Sequence, residues 1–272
     1  MGTILKNARL ITPFEEIERG FLLLENGIIL EVGSDDDWVS TANIPGTQVK
    51  DLSGLTVLPG FIDLHVNGGG GADFLAGDLE SFKKAAAFHL AHGTTAFLAT
   101  LITAPYAATI AALETARAYR QAGFPSLPQL VGVHLEGPYI SPQKAGAHPR
   151  SQIRPLCLAE FVSFQEACAG AVKIITLAPE LPKALEFIKE VKSQGIIPAL
   201  GHTDAIFEEA RAGFDANGKV TDLKEARKTV LDAGKEERQF QRVMRQGVAK
   251  LAKAIREFRK DNRPQAQGER TR

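Results

Sequence analysis

Cysteine is scarce in this sequence: Cys157 and Cys168 are the only two among 272 residues. Both fall in helix-like, partly apolar stretches, so a disulfide framework has little support and two buried, reduced thiols are expected. Long hydrophobic runs are missing too. No stretch approaches the roughly 18 to 20 uninterrupted apolar residues that a membrane span needs, and the opening Met1-Gly2-Thr3-Ile4-Leu5-Lys6 has no signal-peptide core. A cytoplasmic protein without a membrane partner is therefore expected. Histidine, finally, is absent after His202, which limits where imidazole chemistry can arise.

What is present is an ordinary globular composition, 44% hydrophobic and formally neutral, sufficient for a sizeable core. The neutrality hides an asymmetry. Residues 211–272 carry 17 Lys/Arg against 9 Asp/Glu, whereas residues 1–210 carry 15 against 23. An acidic body joined to a basic tail predicts a change of structural character near that junction.

Residues 1–57 read as a small β-rich module. Its clearest signal is Asn26-Gly27 between Leu22–Glu25 and Ile28–Val32, because Asn-Gly adopts the two positive φ values of a type I′ hairpin turn. Over residues 58–212 the pattern changes to short apolar runs alternating with amphipathic helices. The predicted strands are Phe61–Val66, Thr94–Leu101, Leu130–Leu135, Val172–Leu177 and Ile196–Gly201, each apolar enough to be buried on both faces of a parallel sheet. Asp78, Thr103 with Pro105, and Pro182 supply helix starts, and Gly93, Gly123 and Gly195 supply stops.

Alternation of this kind predicts an α/β fold, an incomplete TIM-like (β/α) barrel of about five units, since a closed eightfold barrel needs about 250 residues. The two open sheet edges are expected to be covered by the tail or by a second copy of the chain as a homodimer. Residues 213–261 read as basic amphipathic helix, with Phe240, Val243, Met244, Val248, Leu251, Ile255 and Phe258 at helical spacing. Residues 262–272 read as a disordered tail. The Lys/Arg content of the helical segment is that of a solvated face, so nucleic acid is not the expected partner.

In α/β barrels the reacting groups sit at the C-terminal ends of strands. Here those ends offer His65-Val66-Asn67, His134-Leu135-Glu136 and Gly201-His202-Thr203. Two imidazoles and a carboxylate suit a zinc-like divalent ion, which takes N and O ligands. Glu136 is the strongest candidate, because a carboxylate closing an apolar strand is costly to bury without a proton, cation or metal beside it. His65 and His202 could equally be hydrogen-bonded structural residues. His134 is expected to face the helices, away from Glu136. His89 and His92 are explained by a helix C-terminus. Gly68 to Gly71 read either as a phosphate cradle or as a plain strand-to-helix turn.

Four segments, taken in order, resemble one family. They are Pro59–Gly68, His134–Pro142, Lys144–Pro149 and Gly201–Ala205, and to about residue 212 they are similar to the N-acetylglucosamine-6-phosphate deacetylases, metal-dependent amidohydrolases. The resemblance implies one divalent ion, zinc, held by Glu136 and His202, with His65 as a further candidate. His148 would hydrogen-bond the substrate near its acetamido carbonyl, and the backbone of Ala147 would help to seat the sugar phosphate. Asn67 stands where many amidohydrolases have a second His, which favours a single metal. The family pattern continues with further barrel strands carrying another His ligand and a proton-shuttling Asp. No counterpart of either is found after His202, so no catalytic acid–base residue is assigned. The implied activity is release of acetate from N-acetylglucosamine 6-phosphate by metal-activated water; the alternative is a truncated or fused remnant that binds sugar phosphate or a partner without turnover.

Overall fold

The computed structural model describes residues 2–36 and 46–217, which fall into two compact units dividing between Pro59 and Gly60. The expected helices beyond Asn217 and the polar tail at 262–272 lie outside the described residues.

The first unit is a five-stranded sheet. β1 (Gly2–Ile11) pairs antiparallel with β2 (Glu16–Glu25), β2 pairs antiparallel with β3 (Ile28–Ser34), and the short strands β4 (Gln48–Asp51) and β5 (Thr56–Val57) lie parallel to β1. Asn26 and Gly27 have φ of +52° and +78°, the pair of positive values that a type I′ turn needs, and the β2–β3 hairpin forms around them. Ile4, Phe21 and Leu23 make one small core of this sheet, and Ala8, Leu10 and Leu22 make another.

The second unit is built on a parallel sheet of five strands: β6 (Phe61–Val66), β9 (Thr94–Ile102), β10 (Gln129–Glu136), β11 (Val172–Leu177) and β12 (Ile197–Leu200), in the order β12-β11-β10-β9-β6. Every pairing is parallel. Helices α1 (Leu79–Leu90), α2 (Tyr106–Ala122), α3 (Leu158–Ala167), α4 (Ala184–Ser193) and α5 (Phe207–Ala216) follow the strands in turn. This is an α/β half-barrel. Asp78 caps α1 by accepting the N–H of Ser81 at 2.8 Å, and α2 stops at Gly123, whose φ of +57° admits the left-handed turn.

The core lies between sheet and helices. Phe82, Phe97, Tyr119, Phe161, Phe164 and Phe187 meet Val133, Leu135, Ile175 and Leu177 there, nearly all fully buried. Central strands β9, β10 and β11 are as apolar and enclosed as their sequences suggest. The expectation fails at the edges. Phe61, Ile62 and Leu64 of β6 are 57, 66 and 54% exposed, and Ile197 of β12 is 59% exposed, because among the described residues each edge strand has one neighbour only. An apolar run shows that a strand is hydrophobic, not that both its sides are covered.

Cys168 is buried, and burial raises its thiol pKa; Cys157 is exposed, contrary to expectation, because it precedes α3 rather than lying within it. No helix among the described residues is long and apolar enough to cross a membrane.

Gly68 to Gly71 form a tight hairpin and not a loose strand-to-helix turn. Gly68–Gly69 (β7) pairs antiparallel with Ala72–Asp73 (β8), and Gly70 and Gly71, with φ of +60° and +78°, make the tight connection. The carbonyl of Gly68 is taken by His89 Nε2 at 2.9 Å, so His89 has a specific partner besides its place in the last turn of α1.

Candidate metal centre

Parallel strands in register bring their C-terminal ends to one edge of the sheet. Glu136 is the last residue of β10 and lies level with Thr176 of β11 and Ile102 of β9. His65 closes β6 one residue before its end, His202 stands two residues past β12, and His148 comes from the loop after β10. Their side chains converge. Glu136 Oε1 is 3.0 Å from His202 Nε2, while Oε2 is 3.4 Å from His65 Nε2 and 3.9 Å from His148 Nε2.

The Glu136 side chain is only 12% exposed. Its pKa is nevertheless held down to about 2, by His148 first and then by His202 and His65, against the opposing effect of burial. At 3.9 Å the His148 contact is longer than a hydrogen bond, so its influence is that of a ring nitrogen aimed at the carboxylate rather than of a formed bond.

Hydrogen-bond partners fix the tautomers of the two loop histidines. The backbone N–H of Thr103 donates to His148 Nδ1 at 3.1 Å, and the Thr103 hydroxyl stands 2.8 Å from the same nitrogen. An amide N–H can only donate, so Nδ1 accepts and the neutral ring carries its proton on Nε2, the nitrogen facing Glu136. His202 is the reverse case. Its Nδ1 lies 3.0 Å from the carbonyl of Lys144, which can only accept, so Nδ1 is protonated; in the neutral ring Nε2 then presents a lone pair, and in the charged ring it donates to Glu136. That lone pair and a carboxylate oxygen 3.0 Å away repel unless a proton or metal cation lies between them.

Ligand atoms of Glu136, His148 and His202 all lie within 4.8 Å of one another, a donor set that fits a divalent ion. Tautomers divide the set: Glu136 and His202 offer lone pairs to a cation, whereas His148 offers an N–H.

The family model described as "Amidohydrolase family" matches residues 56–257. The chain belongs to the amidohydrolase family. It is 35% identical over 219 residues to the N-acetylglucosamine-6-phosphate deacetylase of Bacillus subtilis (strain 168), covering 77% of this chain and 54% of that protein. It is 32% identical over 216 residues to the N-acetylgalactosamine-6-phosphate deacetylase of Escherichia coli O157:H7, covering 79% of this chain and 54% of that one. Among solved structures, the N-acetyl-D-glucosamine-6-phosphate deacetylase of Mycobacterium smegmatis superposes with a TM-score of 0.69 at 31% identity, over 79% of this chain and 53% of that chain. The same enzyme as a mutant, in complex with N-acetyl-D-glucosamine-6-phosphate, gives the same figures. This chain thus spans about half the length of the relatives it matches.

In this amidohydrolase, Ala147 lies in the exposed turn before His148. Asn67 directs its amide to the carbonyl of Thr100 at 3.4 Å, back into the sheet. His134 corrects an expectation: it lies on the same side of β10 as Glu136, since residues two apart on a strand share a face. Its buried ring meets His65 edge to face at 4.9 Å and bonds Thr176 Oγ1 at 2.8 Å. Burial, then the nearby His65, brings its pKa down to about 4.

Sequence reasoning placed Thr103 only at a helix start and did not show that it orients His148, or that the Lys144 carbonyl orients His202. Thr103 had a signal, being the first residue after the β9 strand, where barrel sites are built. A backbone carbonyl has none.

Gly146 shows how closely the loop after β10 fits. Its φ is +59°, and a Cβ there would lie 3.3 Å from His202 Cε1. Glycine satisfies both the left-handed turn and the close approach.

Proposed function

We propose that this chain carries the metal-binding and acetamido-binding side of a deacetylase acting on N-acetylglucosamine 6-phosphate, releasing glucosamine 6-phosphate and acetate. Glu136 and His202 hold one divalent ion, zinc, through carboxylate oxygen and Nε2, with His65 at the margin of the same carboxylate. The chemistry such an ion supplies when bound is Lewis acidity toward an amide carbonyl and a water of lowered pKa.

The protein's own part is positioning. His148, with its proton on Nε2, donates to the acetamido carbonyl and stabilises charge that develops on that oxygen. Thr103 keeps the ring in that tautomer. The backbone at Ala147 seats the sugar beside it. The observation that carries the reading is the opposite Nδ1 partners of His148 and His202 around one carboxylate, an amide N–H for one and a backbone carbonyl for the other: the neutral rings are thereby set one to donate from Nε2 and the other to bind a cation there. The deacetylase relatives support the choice of substrate class.

A second reading, binding of a sugar phosphate without turnover, is favoured by one fact: the sequence has no histidine after His202, so no further imidazole ligand comes from that stretch. Acetate release by the purified full chain with added zinc, run beside Glu136→Gln, separates the two. Turnover that disappears in the variant is the result expected. A folded chain that binds the sugar phosphate and releases no acetate contradicts deacetylation and leaves the binding role.

A further inference from the structure

His202 has a φ of +50°, in the left-handed region that an L side chain rarely enters unless its surroundings hold it there. The surroundings converge on Glu180, which lies in the turn after β11, half-buried. Glu180 Oε2 accepts the hydroxyl of Thr203 at 2.5 Å, and Oε1 accepts the backbone N–H of Asp204 at 2.8 Å. One carboxylate therefore clasps the two residues that follow His202. The Thr203 hydroxyl also accepts the N–H of Ala205 at 2.9 Å, closing the turn on itself.

The clasp is linked to the group that orients the ring. Asp204 Oδ1 lies 3.1 Å from Lys144 Nζ, and the carbonyl of the same Lys144 receives the Nδ1–H of His202. On the other side, the carbonyl of His202 takes the N–H of Ser141 at 2.8 Å. Backbone and ring of His202 are thus held from the loops after β10 and β11, with Glu180, among the described residues, the only side chain that bonds to both residues following it.

We propose that Glu180 is a positioning residue for His202: by holding Thr203 and Asp204 it keeps the imidazole where Nδ1 meets the Lys144 carbonyl and Nε2 faces Glu136 and a divalent cation. It acts through the backbone and not by touching the ion. This rests on Glu136 and His202 forming a metal site, and so deepens that reading.

The test uses the full chain stripped of metal, zinc alone as the probe, and competition with a chromophoric chelator. Glu180→Ala and Thr203→Val are each expected to weaken zinc binding about 10- to 100-fold, the range for loss of a group that orients a ligand. Thr203→Ser, which keeps the hydroxyl, is expected to bind as wild type does. Long-range proton–nitrogen spectra of the imidazoles, taken on metal-free protein at about pH 9, above the ordinary histidine range, give an independent readout. His202 should show one tautomer in the wild type and a mixture in the Glu180 and Thr203→Val variants, a change that destabilisation alone does not produce. Wild-type affinity together with a single His202 tautomer in those variants would overturn the proposal. If Glu180→Ala fails to fold, the Val and Ser variants at Thr203 decide it. His202→Ala separates the two levels: zinc binding at wild-type strength in that variant sinks the metal site itself, whereas weakened binding there with unaffected Glu180 and Thr203 variants sinks only the role of Glu180.

Discussion

The backbone N–H of Thr103 donates to Nδ1 of His148 at 3.1 Å, and this single bond determines that the ring nitrogen facing Glu136 bears a proton. A ring so arranged is a poor metal ligand and a good donor to a carbonyl. His148→Ala is therefore expected to leave zinc affinity within about threefold of wild type while lowering the rate of acetate release about 10²- to 10³-fold, the usual effect of removing one donor to a developing oxyanion. Chelator competition and an acetate assay measure the two quantities separately. A zinc affinity that fell as far as the rate would make His148 a ligand instead.

Alkaline pH should reveal Tyr119. Its hydroxyl donates to the carbonyl of Pro128 at 3.0 Å within the aromatic core, and burial pushes its pKa up to about 12. The folded state therefore holds this proton more tightly than the unfolded chain, whose tyrosine titrates near its ordinary value of about 10. The stabilisation is complete below about pH 10 and is lost as pH rises toward about 12, a change of roughly 2 to 3 kcal/mol. Tyr119→Phe should lose about 1 kcal/mol at neutral pH with the hydrogen bond, then decline less steeply than wild type over that alkaline window. Parallel slopes in denaturant titrations of the two proteins would show that the phenol does not report on folding.

Phe161 is fully buried and meets Phe187 edge to face at 5.4 Å between centroids, joining α3 to α4. Truncation removes its apolar contacts and leaves a cavity that the sheet behind it cannot readily fill. Phe161→Ala is expected to cost about 3 to 5 kcal/mol in urea unfolding. The exposed Phe207, at 72%, is expected to change stability by less than about 0.5 kcal/mol on the same substitution. Comparable losses at the two positions would mean that the core is not where the packing places it.

Much of the second unit was legible because its central strands are short apolar runs and its helices carry their own starts and stops, as at Asp78 and Gly123. Glu136 was legible for a different reason: a carboxylate ending an apolar strand is costly to bury alone, so its position called for a partner. The side of the strand on which His134 lies follows from the period of two, which places it with Glu136. The exposed edges at Phe61 and Ile197 were not legible, since composition records hydrophobicity and not which neighbours a strand will have. Nor could sequence reveal that His202 adopts a left-handed backbone, or that the Lys144 carbonyl and the Thr103 amide are the partners of the two Nδ1 atoms. Those are long-range bonds, both to backbone groups that every residue possesses.

Zinc titration of the metal-free full chain beside Glu136→Gln and His202→Ala asks whether this carboxylate and this imidazole share one cation. One ion per chain is expected in the wild type, with an affinity at least about tenfold weaker in each variant, in keeping with the loss of a direct ligand where even an orienting group is worth that much. Binding of equal strength in all three proteins would contradict a shared cation.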